Sequence, residues 1–157
     1  MSITLRDASE KDEAFLREVY ASTRAQELAL IPWNDEQREA FLRMQFDAQH
    51  LHYHSQFPEA SYQIILNEAE AIGRLYVLRK EAEIRILDIT LLPQHRDAGI
   101  GTPLIRELLR EADQTGKAVN IWVEQFNPSL ALFERLGFSK AQKDAYNCLL
   151  EYRRNES

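Results

Sequence analysis

A glycine-bearing segment between an apolar run and an amphipathic run constrains this chain more than any other stretch. The apolar run, Ile84–Leu92, predicts a strand. After Gly101 a helix is predicted, whose apolar face comprises Leu104, Ile105, Leu108, Leu109 and Ala112. Between them lies the pattern Arg96-x-x-Gly99-x-Gly101-Thr102. Glycines let the backbone approach a ligand closely, and a helix start offers free N–H groups and a positive dipole end. The segment therefore predicts an anion site for a phosphate-bearing cofactor.

The spacing of these glycines excludes two common phosphate-binding motifs. A Walker loop ends in Gly-Lys-Ser/Thr, whereas Thr102 follows Gly101 directly. The dinucleotide fingerprint needs a third glycine where this chain has Leu104, and it usually belongs to an early βαβ unit. A tight turn that needs positive φ at Gly99 or Gly101 is the simpler alternative, and the motif alone leaves both interpretations open.

The rest of the chain predicts an α+β fold with one central mixed sheet, in the order β-α-α-β-β-β-α-β-α-β-β. Polar caps begin the helices and prolines or glycines end them, which predicts helices after Ser9 to about Leu30 and over Asn34–His54, Gly99–Thr115 and Pro128–Leu136. Apolar runs between turns predict strands at Ile3–Arg6, Ser61–Asn67, Ala71–Leu78, Glu83–Leu92, Ala118–Val123, Phe138–Asp144 and Tyr146–Tyr152.

Length, charge and cysteine content limit the class of protein. A chain of 157 residues predicts a single domain over 1–157 that can bury a core. It has no apolar run of membrane-spanning length, no secretory signal at its N-terminus and only Cys148 as a thiol, so we expect a cytoplasmic protein without a membrane partner. A net charge of −6 argues against nucleic acid as a partner and is compatible with a cationic substrate such as an amine.

Two blocks of the chain together resemble the GNAT superfamily of acetyl-CoA-dependent N-acetyltransferases. DITLLPQHRDAGIGT, at 88–102, is similar to the family's cofactor loop, and NPSLALFERLGF, at 127–138, is similar to its block of Asn, helix and Gly-Phe. The resemblance extends from about Ile3 to Tyr152. It implies a mixed, mostly antiparallel sheet that is splayed at its middle strands and flanked by helices. It also implies transfer of acetyl from acetyl-CoA to a primary amine, by direct attack in a ternary complex.

The resemblance implies roles for residues in both blocks. N–H groups from Arg96 to Thr102 would hold the coenzyme A pyrophosphate, and the strand end at Leu91 and Leu92 would pair with pantetheine. The N–H near Leu91 would be an oxyanion donor, and Asn127 would bind a pantetheine amide unless it is only a helix cap. With acetyl-CoA as cosubstrate and no metal, the predicted cofactor-binding residues are Leu91, Leu92, Arg96, Asp97, Ala98, Gly99, Ile100, Gly101, Thr102, Asn127 and Phe133.

The catalytic groups are less fully determined by the resemblance. Many relatives in this family have, at the position of Phe133, a tyrosine whose implied role is to protonate the leaving thiolate. Tyr146 is the candidate replacement, with strand packing as the alternative. The amine must lose a proton before it attacks, and Glu124 and Asp88, followed by His95, are the candidate bases. If Asp88 is buried among its apolar neighbours, its pKa should rise. Each of these residues has a solvated or structural role as its alternative.

The resemblance implies that the first two helices and their loop form the acceptor wall, and aromatic and imidazole side chains lie near the second predicted helix. Trp33 and Tyr62 are predicted to bind the substrate by stacking or cation–π contact, with core packing as the alternative. His50 and His54 share a helix face that His52 does not, and no third ligand is evident, so no metal site is predicted.

The resemblance implies only the general class of the protein's partners. The acceptor is expected to be a small-molecule or peptide amine, and a homodimer is expected by analogy with the family. A non-catalytic acyl-CoA-binding or sensor module is the alternative function, and Phe133 in place of tyrosine favours it. A plain interaction domain would leave both sequence blocks unexplained.

Overall fold

The computed structural model describes residues 1–125, 127 and 129–154. Its helices are α1 (Glu13–Ala29), α2 (Asp35–Gln56), α3 (Gly101–Thr115) and α4 (Leu130–Arg135). Its strands are β1 (Ile3–Asp7), β2 (Ser61–Asn67), β3 (Glu70–Arg79), β4 (Glu83–Leu91), β5 (Ala118–Glu124), β6 (Ser139–Lys143) and β7 (Asn147–Tyr152). Short 3₁₀ turns, Glu10–Asp12 and Pro93–His95, precede α1 and follow β4.

The predicted α+β class and element order are confirmed. The strands form a mixed sheet in the order β1-β2-β3-β4-β5-β7-β6. The start of α3 differs from the prediction, because Gly99 has a φ of 75°, which a right-handed helix cannot include. The helix predicted over 128–136 is shorter and begins at Leu130, while Pro128 lies outside the described residues.

The sheet opens at its middle strands, as expected. The parallel ladder pairs Glu83–Ile86 of β4 with Ala118–Ile121 of β5, and no further β4–β5 pair occurs in the described part of the chain. Both strands continue, β4 to Leu91 and β5 to Glu124. On its other side β5 stays antiparallel to β7 as far as the pair of Glu124 and Asn147. Among the described residues, the C-terminal part of β5 therefore forms its ladder with β7 and not with β4.

Contacts divide the chain into two compact units, and the expectation of one domain stays a prediction. The first unit comprises residues 1–75 and 90–96. The helices α1 and α2 pack together there. A capping box at Ser9 begins the 3₁₀ turn that precedes α1, and another at Asn34 begins α2. Its buried apolar residues include Leu16, Val19, Phe46, Ile64 and Ile65.

The second unit comprises residues 76–89 and the chain from 97 onward. Helix α3 packs on β5 through one apolar face, where Ile105, Leu108, Leu109 and Ala112 are buried. Gly116 ends this helix in the left-handed conformation, with a φ of 70°. The long, apolar-faced helix fixes the position of the loop that leads into it.

No helix in the described ranges has both the length and the apolar character that a bilayer crossing requires.

An ion pair joins β1 to the 3₁₀ turn before α1, at the start of the first unit. Both Arg6 Nη atoms donate to the Asp12 carboxylate, at 2.9 and 2.8 Å, and the Ser9 N–H donates to it at 2.8 Å. The Arg6 side chain lowers the pKa of Asp12 from its usual 3.8 to about 2. A carboxyl group whose pKa is lowered by folding stabilises the fold above its unfolded pKa, and this contribution is lost as the pH falls through the folded pKa.

We expect Asp12→Asn to lower the free energy of unfolding at pH 7 by about 1–2 kcal/mol, allowing for solvent screening at the half-exposed Arg6. The difference from wild type should shrink as the pH falls from about 4 to about 2, where the wild-type carboxylate is also neutralised. Urea unfolding across this pH range measures it. Glu27→Gln, which removes an exposed ion pair with Arg24, is the control and should change stability by less than about 0.5 kcal/mol. An Asp12→Asn difference that is independent of pH would contradict the role of charge.

Candidate active site

The loop before α3 presents a row of backbone N–H groups. The N–H groups of residues 97–102 have no hydrogen-bond acceptor within the described part of the chain, and no side chain caps α3. Asp97 and Gly99 are in the left-handed region, with φ of 58° and 75°. Alternation of left- and right-handed residues turns successive N–H groups toward one concave surface, which is a geometry that binds anions. Ile100 anchors this loop, because its side chain is buried.

Only one of the two loop glycines is required by the backbone conformation. Gly99 has a φ that residues with a side chain rarely adopt, so the tight-turn interpretation applies to it. Gly101 has no such conformation, and a Cβ at this residue would meet nothing within 4 Å. No feature of the described chain therefore requires glycine at 101, and the space next to it is open for a ligand.

The end of β4 is held by hydrogen bonds within the first unit. The Leu92 N–H donates to the carbonyl oxygen of Ile72 at 2.9 Å, and the Leu92 side chain is buried. Arg96 Nε donates to the carbonyl oxygen of Leu91 at 3.0 Å, and its Nη2 lies 3.5 Å from the hydroxyl of Ser22. The Arg96 side chain thus contacts the strand end, and its predicted role toward the pyrophosphate stays a prediction.

The structure brings Glu124 and Tyr146 together at the end of β5. Glu124 is exposed and pairs with Asn147, and the N–H of the next residue, Gln125, donates to the Tyr146 carbonyl oxygen at 2.8 Å. The Asp144 carboxylate accepts the N–H groups of Tyr146 and Asn147, both at 2.8 Å, and these bonds lower the pKa of Asp144. The Tyr146 side chain is 78% exposed, so its ring is not part of the strand packing.

Asn127 lies just beyond this strand end. Its N–H donates to the carbonyl oxygen of Glu124 at 3.0 Å. Its Oδ1 accepts both the N–H and the hydroxyl of Ser129 at 2.8 Å, which is the geometry of an Asx turn leading into α4. This turn uses only the oxygen of the side-chain amide, so the Nδ2 group can still donate to a ligand.

The remaining predicted residues lie in varied surroundings. Phe133 is buried and packs edge-on against Phe138, with 5.2 Å between ring centroids. Asp88 is half-buried within β4. Trp33 is half-buried and packs edge-on against Phe41 at 5.1 Å.

The Tyr62 hydroxyl contributes to the end of α2. It donates to the carbonyl oxygens of Tyr53 and Phe57 at 2.8 and 2.7 Å, and its ring stacks on His54 at 4.1 Å. Burial and the neighbouring His50 lower the pKa of His54. The His50 and His54 rings are 4.3 Å apart, and no group of three or more potential metal ligands occurs among the described residues.

Sequence reasoning missed one residue next to the strand end. A Cβ at Gly73, in β3, would lie 2.3 Å from the carbonyl oxygen of Thr90 in β4. A lone glycine inside the pattern of a strand is the signal for such a close approach of two backbones. The contact itself joins residues far apart in the chain, so its position could be found only from the structure.

Comparison with known proteins identifies the family. The model of the family described as Acetyltransferase (GNAT) family matches residues 14–138. A search of curated protein sequences finds no match.

Several solved structures are similar to this chain over nearly their full length. PaiA N-acetyltransferase from Thermoplasma acidophilum, in complex with coenzyme A, has a TM-score of 0.73 at 18% identity. The match covers 98% of this chain and 100% of the PaiA chain. Ard1 from Thermoplasma volcanium has a TM-score of 0.66 at 16% identity, with 99% and 100% covered. An acetyltransferase from Thermus thermophilus has a TM-score of 0.69 at 19% identity, with 98% of each chain covered. At these identities the likeness concerns the fold, whereas the family match covers most of the sequence. This chain belongs to the GNAT family of acetyltransferases.

Proposed function

We propose that this protein is an N-acetyltransferase that transfers the acetyl group of acetyl-CoA to a primary amine, by direct attack in a ternary complex. The observation that carries the proposal is the row of N–H groups at 97–102, which have no acceptor in the described chain. The family match supports acetyl transfer, and coenzyme A in the PaiA structure supports this donor.

The fit to a diphosphate depends on backbone groups. Residues 96–102 contain one cation, Arg96, and one anion, Asp97, so their formal charges cancel. The attraction for phosphate therefore comes from the N–H groups and from the positive end of α3. The open space beside Gly101 lets phosphate oxygens come within hydrogen-bond distance of the backbone.

Acetyl-CoA supplies the activated acyl group. The Leu91 N–H is the donor that would stabilise negative charge on the thioester oxygen, and one such donor is worth about 2.7–4 kcal/mol in other acyl-transfer enzymes. The Nδ2 group of Asn127, which has no acceptor among the described residues, would donate to a carbonyl of the pantetheine arm.

Side chains at the end of β5 would carry out the proton transfers. Glu124 is exposed and would accept a proton from the acceptor ammonium, directly or through water, and Asp88 is the second candidate. The Tyr146 hydroxyl would protonate the departing thiolate in place of Phe133, which carries no proton to donate. A thiol with a pKa near 8.5 also leaves tolerably as a thiolate, so this acid raises the rate without being indispensable.

The acceptor is an amine of low molecular weight or a peptide, and the net charge of −6 favours a cationic one. Trp33 would contribute to the acceptor wall. Tyr62 would offer only its ring, because its hydroxyl donates to the end of α2. A cytoplasmic setting and a homodimer stay predictions. A non-catalytic acyl-CoA sensor is the second candidate, favoured by the buried Phe133 at the position of the usual acid.

We predict that Gly101→Val lowers the affinity for coenzyme A at least about tenfold, because the added side chain fills the space that the phosphate needs. Folding stability should not fall, since glycine is unfavourable within a helix. Isothermal titration with coenzyme A and thermal unfolding measure the two effects. Gln114→Val, an exposed substitution in the last turn of the same helix, is the control and should bind like wild type. Wild-type affinity in Gly101→Val would show that the loop is wrongly assigned.

We predict that wild-type protein releases thiol from acetyl-CoA when a mixed panel of primary amines is present, whereas a sensor would stay at background. With the best amine, Tyr146→Phe should lower kcat by about 10²-fold if the hydroxyl is the general acid. Tyr152→Phe is the matched control, because its hydroxyl bonds to Asp113 and its loss affects only stability. An unchanged kcat in Tyr146→Phe would remove Tyr146 from the mechanism.

A further inference from the structure

Gly73 in β3 lies where the neighbouring strand leaves no room for a side chain. A Cβ at this position would lie 2.3 Å from the Thr90 carbonyl oxygen, and 3.0 and 3.1 Å from Cδ2 and Cα of Leu91. Real Cβ contacts shorter than 3.0 Å essentially never occur. The φ of Gly73 is outside the left-handed region, so glycine is needed here for space and not for backbone conformation. The Thr90 carbonyl therefore occupies the place of the missing side chain.

The position of this carbonyl determines the direction of the Leu91 N–H. Thr90 C=O and Leu91 N–H belong to one peptide group, and no cis peptide bond occurs among the described residues. In a planar trans peptide the N–H points opposite to the C=O. Because the Thr90 oxygen lies against Gly73, the Leu91 N–H points away from Gly73.

The following peptide group is fixed by two hydrogen bonds. Its carbonyl, that of Leu91, accepts from Arg96 Nε at 3.0 Å, and its N–H, that of Leu92, donates to the Ile72 carbonyl at 2.9 Å. Both peptide groups that flank the Leu91 Cα are thus held, one by close contact with Gly73 and the other by hydrogen bonds. A donor that is fixed before the reaction stabilises developing charge without reorganisation.

We propose that Gly73 is a positioning residue for acyl transfer, because its missing side chain lets the Thr90–Leu91 peptide aim the Leu91 N–H at the thioester oxygen. The inference rests on the proposed function. A methyl group at Gly73 would displace the Thr90 carbonyl by several tenths of an ångström and turn the N–H with it. Misplacement of a reacting group by about 1 Å lowers rates by about 10²-fold.

The test compares wild type with Gly73→Ala by isotope-edited infrared spectroscopy of bound acetyl-CoA that carries ¹³C at the acetyl carbonyl. A hydrogen bond lowers the carbonyl stretching frequency. The frequency of bound acetyl-CoA should therefore be lower in wild type than in Gly73→Ala, where the hydrogen bond is partly or fully lost. In the same variant kcat, measured as thiol release with the amine that wild type uses best, should fall by about 10²-fold. Affinity for coenzyme A, which has no acyl carbonyl, should fall far less than kcat, since residues 97–102, which would hold the pyrophosphate, are not altered.

Ile64→Val, a conservative change in the buried part of β2, is the control for loss of stability alone. It should lower the melting temperature and leave both the carbonyl frequency and kcat at wild-type values. An equal carbonyl frequency and kcat in Gly73→Ala and wild type would overturn the inference. So would a fall in kcat that only follows the loss of folded protein.

A measurement on wild type covers the case in which Gly73→Ala does not fold. In protein labelled with ¹⁵N-leucine, the Leu91 amide, assigned with the Leu91→Ile variant, should shift downfield with acetyl-CoA relative to coenzyme A. An identical Leu91 resonance in both complexes would overturn the inference and remove the Leu91 donor, while acetyl transfer itself, the proposed function, would stand. Absence of acetyl-CoA binding to wild type would instead overturn the proposed function and, with it, the inference.

Discussion

Backbone N–H groups without an internal acceptor, at the start of α3, are the feature on which the proposed chemistry depends. An unpaired N–H is tolerable where water or a ligand can reach it, and it is costly where the site is sealed. The loop at 97–102 meets this condition, because its residues are exposed apart from the anchoring Ile100 and the half-open helix start. The buried face of α3 holds the loop on β5, so the row of donors is set before any ligand arrives.

The sequence predicts most of the elements because their signals are local. Asn34 and Gln37 form the capping box that their spacing indicates, and α3 ends at Gly116 as predicted. The start of α3 lies two residues later than predicted because the φ of Gly99 cannot be read from residue type alone. Contacts between distant residues are likewise hidden, since nothing in the sequence places Tyr146 beside Gln125, or the Thr90 carbonyl against Gly73.

The candidate catalytic groups show how far residue type can be used without geometry. Tyr146 is a candidate from the sequence because it lies on the last predicted strand pair. To act as an acid it must also be exposed and close to Glu124, and its position there results from the pairing of β5 with β7, which the sequence does not show. Asn127 illustrates the opposite case. The sequence offers a cap or a ligand contact as alternatives, whereas the structure uses Oδ1 for an Asx turn before α4, and Nδ2 is not part of that turn, so a structural role and a ligand contact are compatible.

Glycine is present at three positions of this chain for three different physical reasons, and only at Gly101 does the reason involve a ligand. Gly99 is required by a positive φ, and Gly73 by the nearness of a carbonyl oxygen. Neither requirement applies to Gly101, where a side chain would fit the described protein and would also favour the helix. A residue that the fold does not need, at the point where unpaired N–H groups meet open space, is best explained by something that binds there. A phosphate ligand is therefore most strongly supported at the glycine that the protein itself could replace.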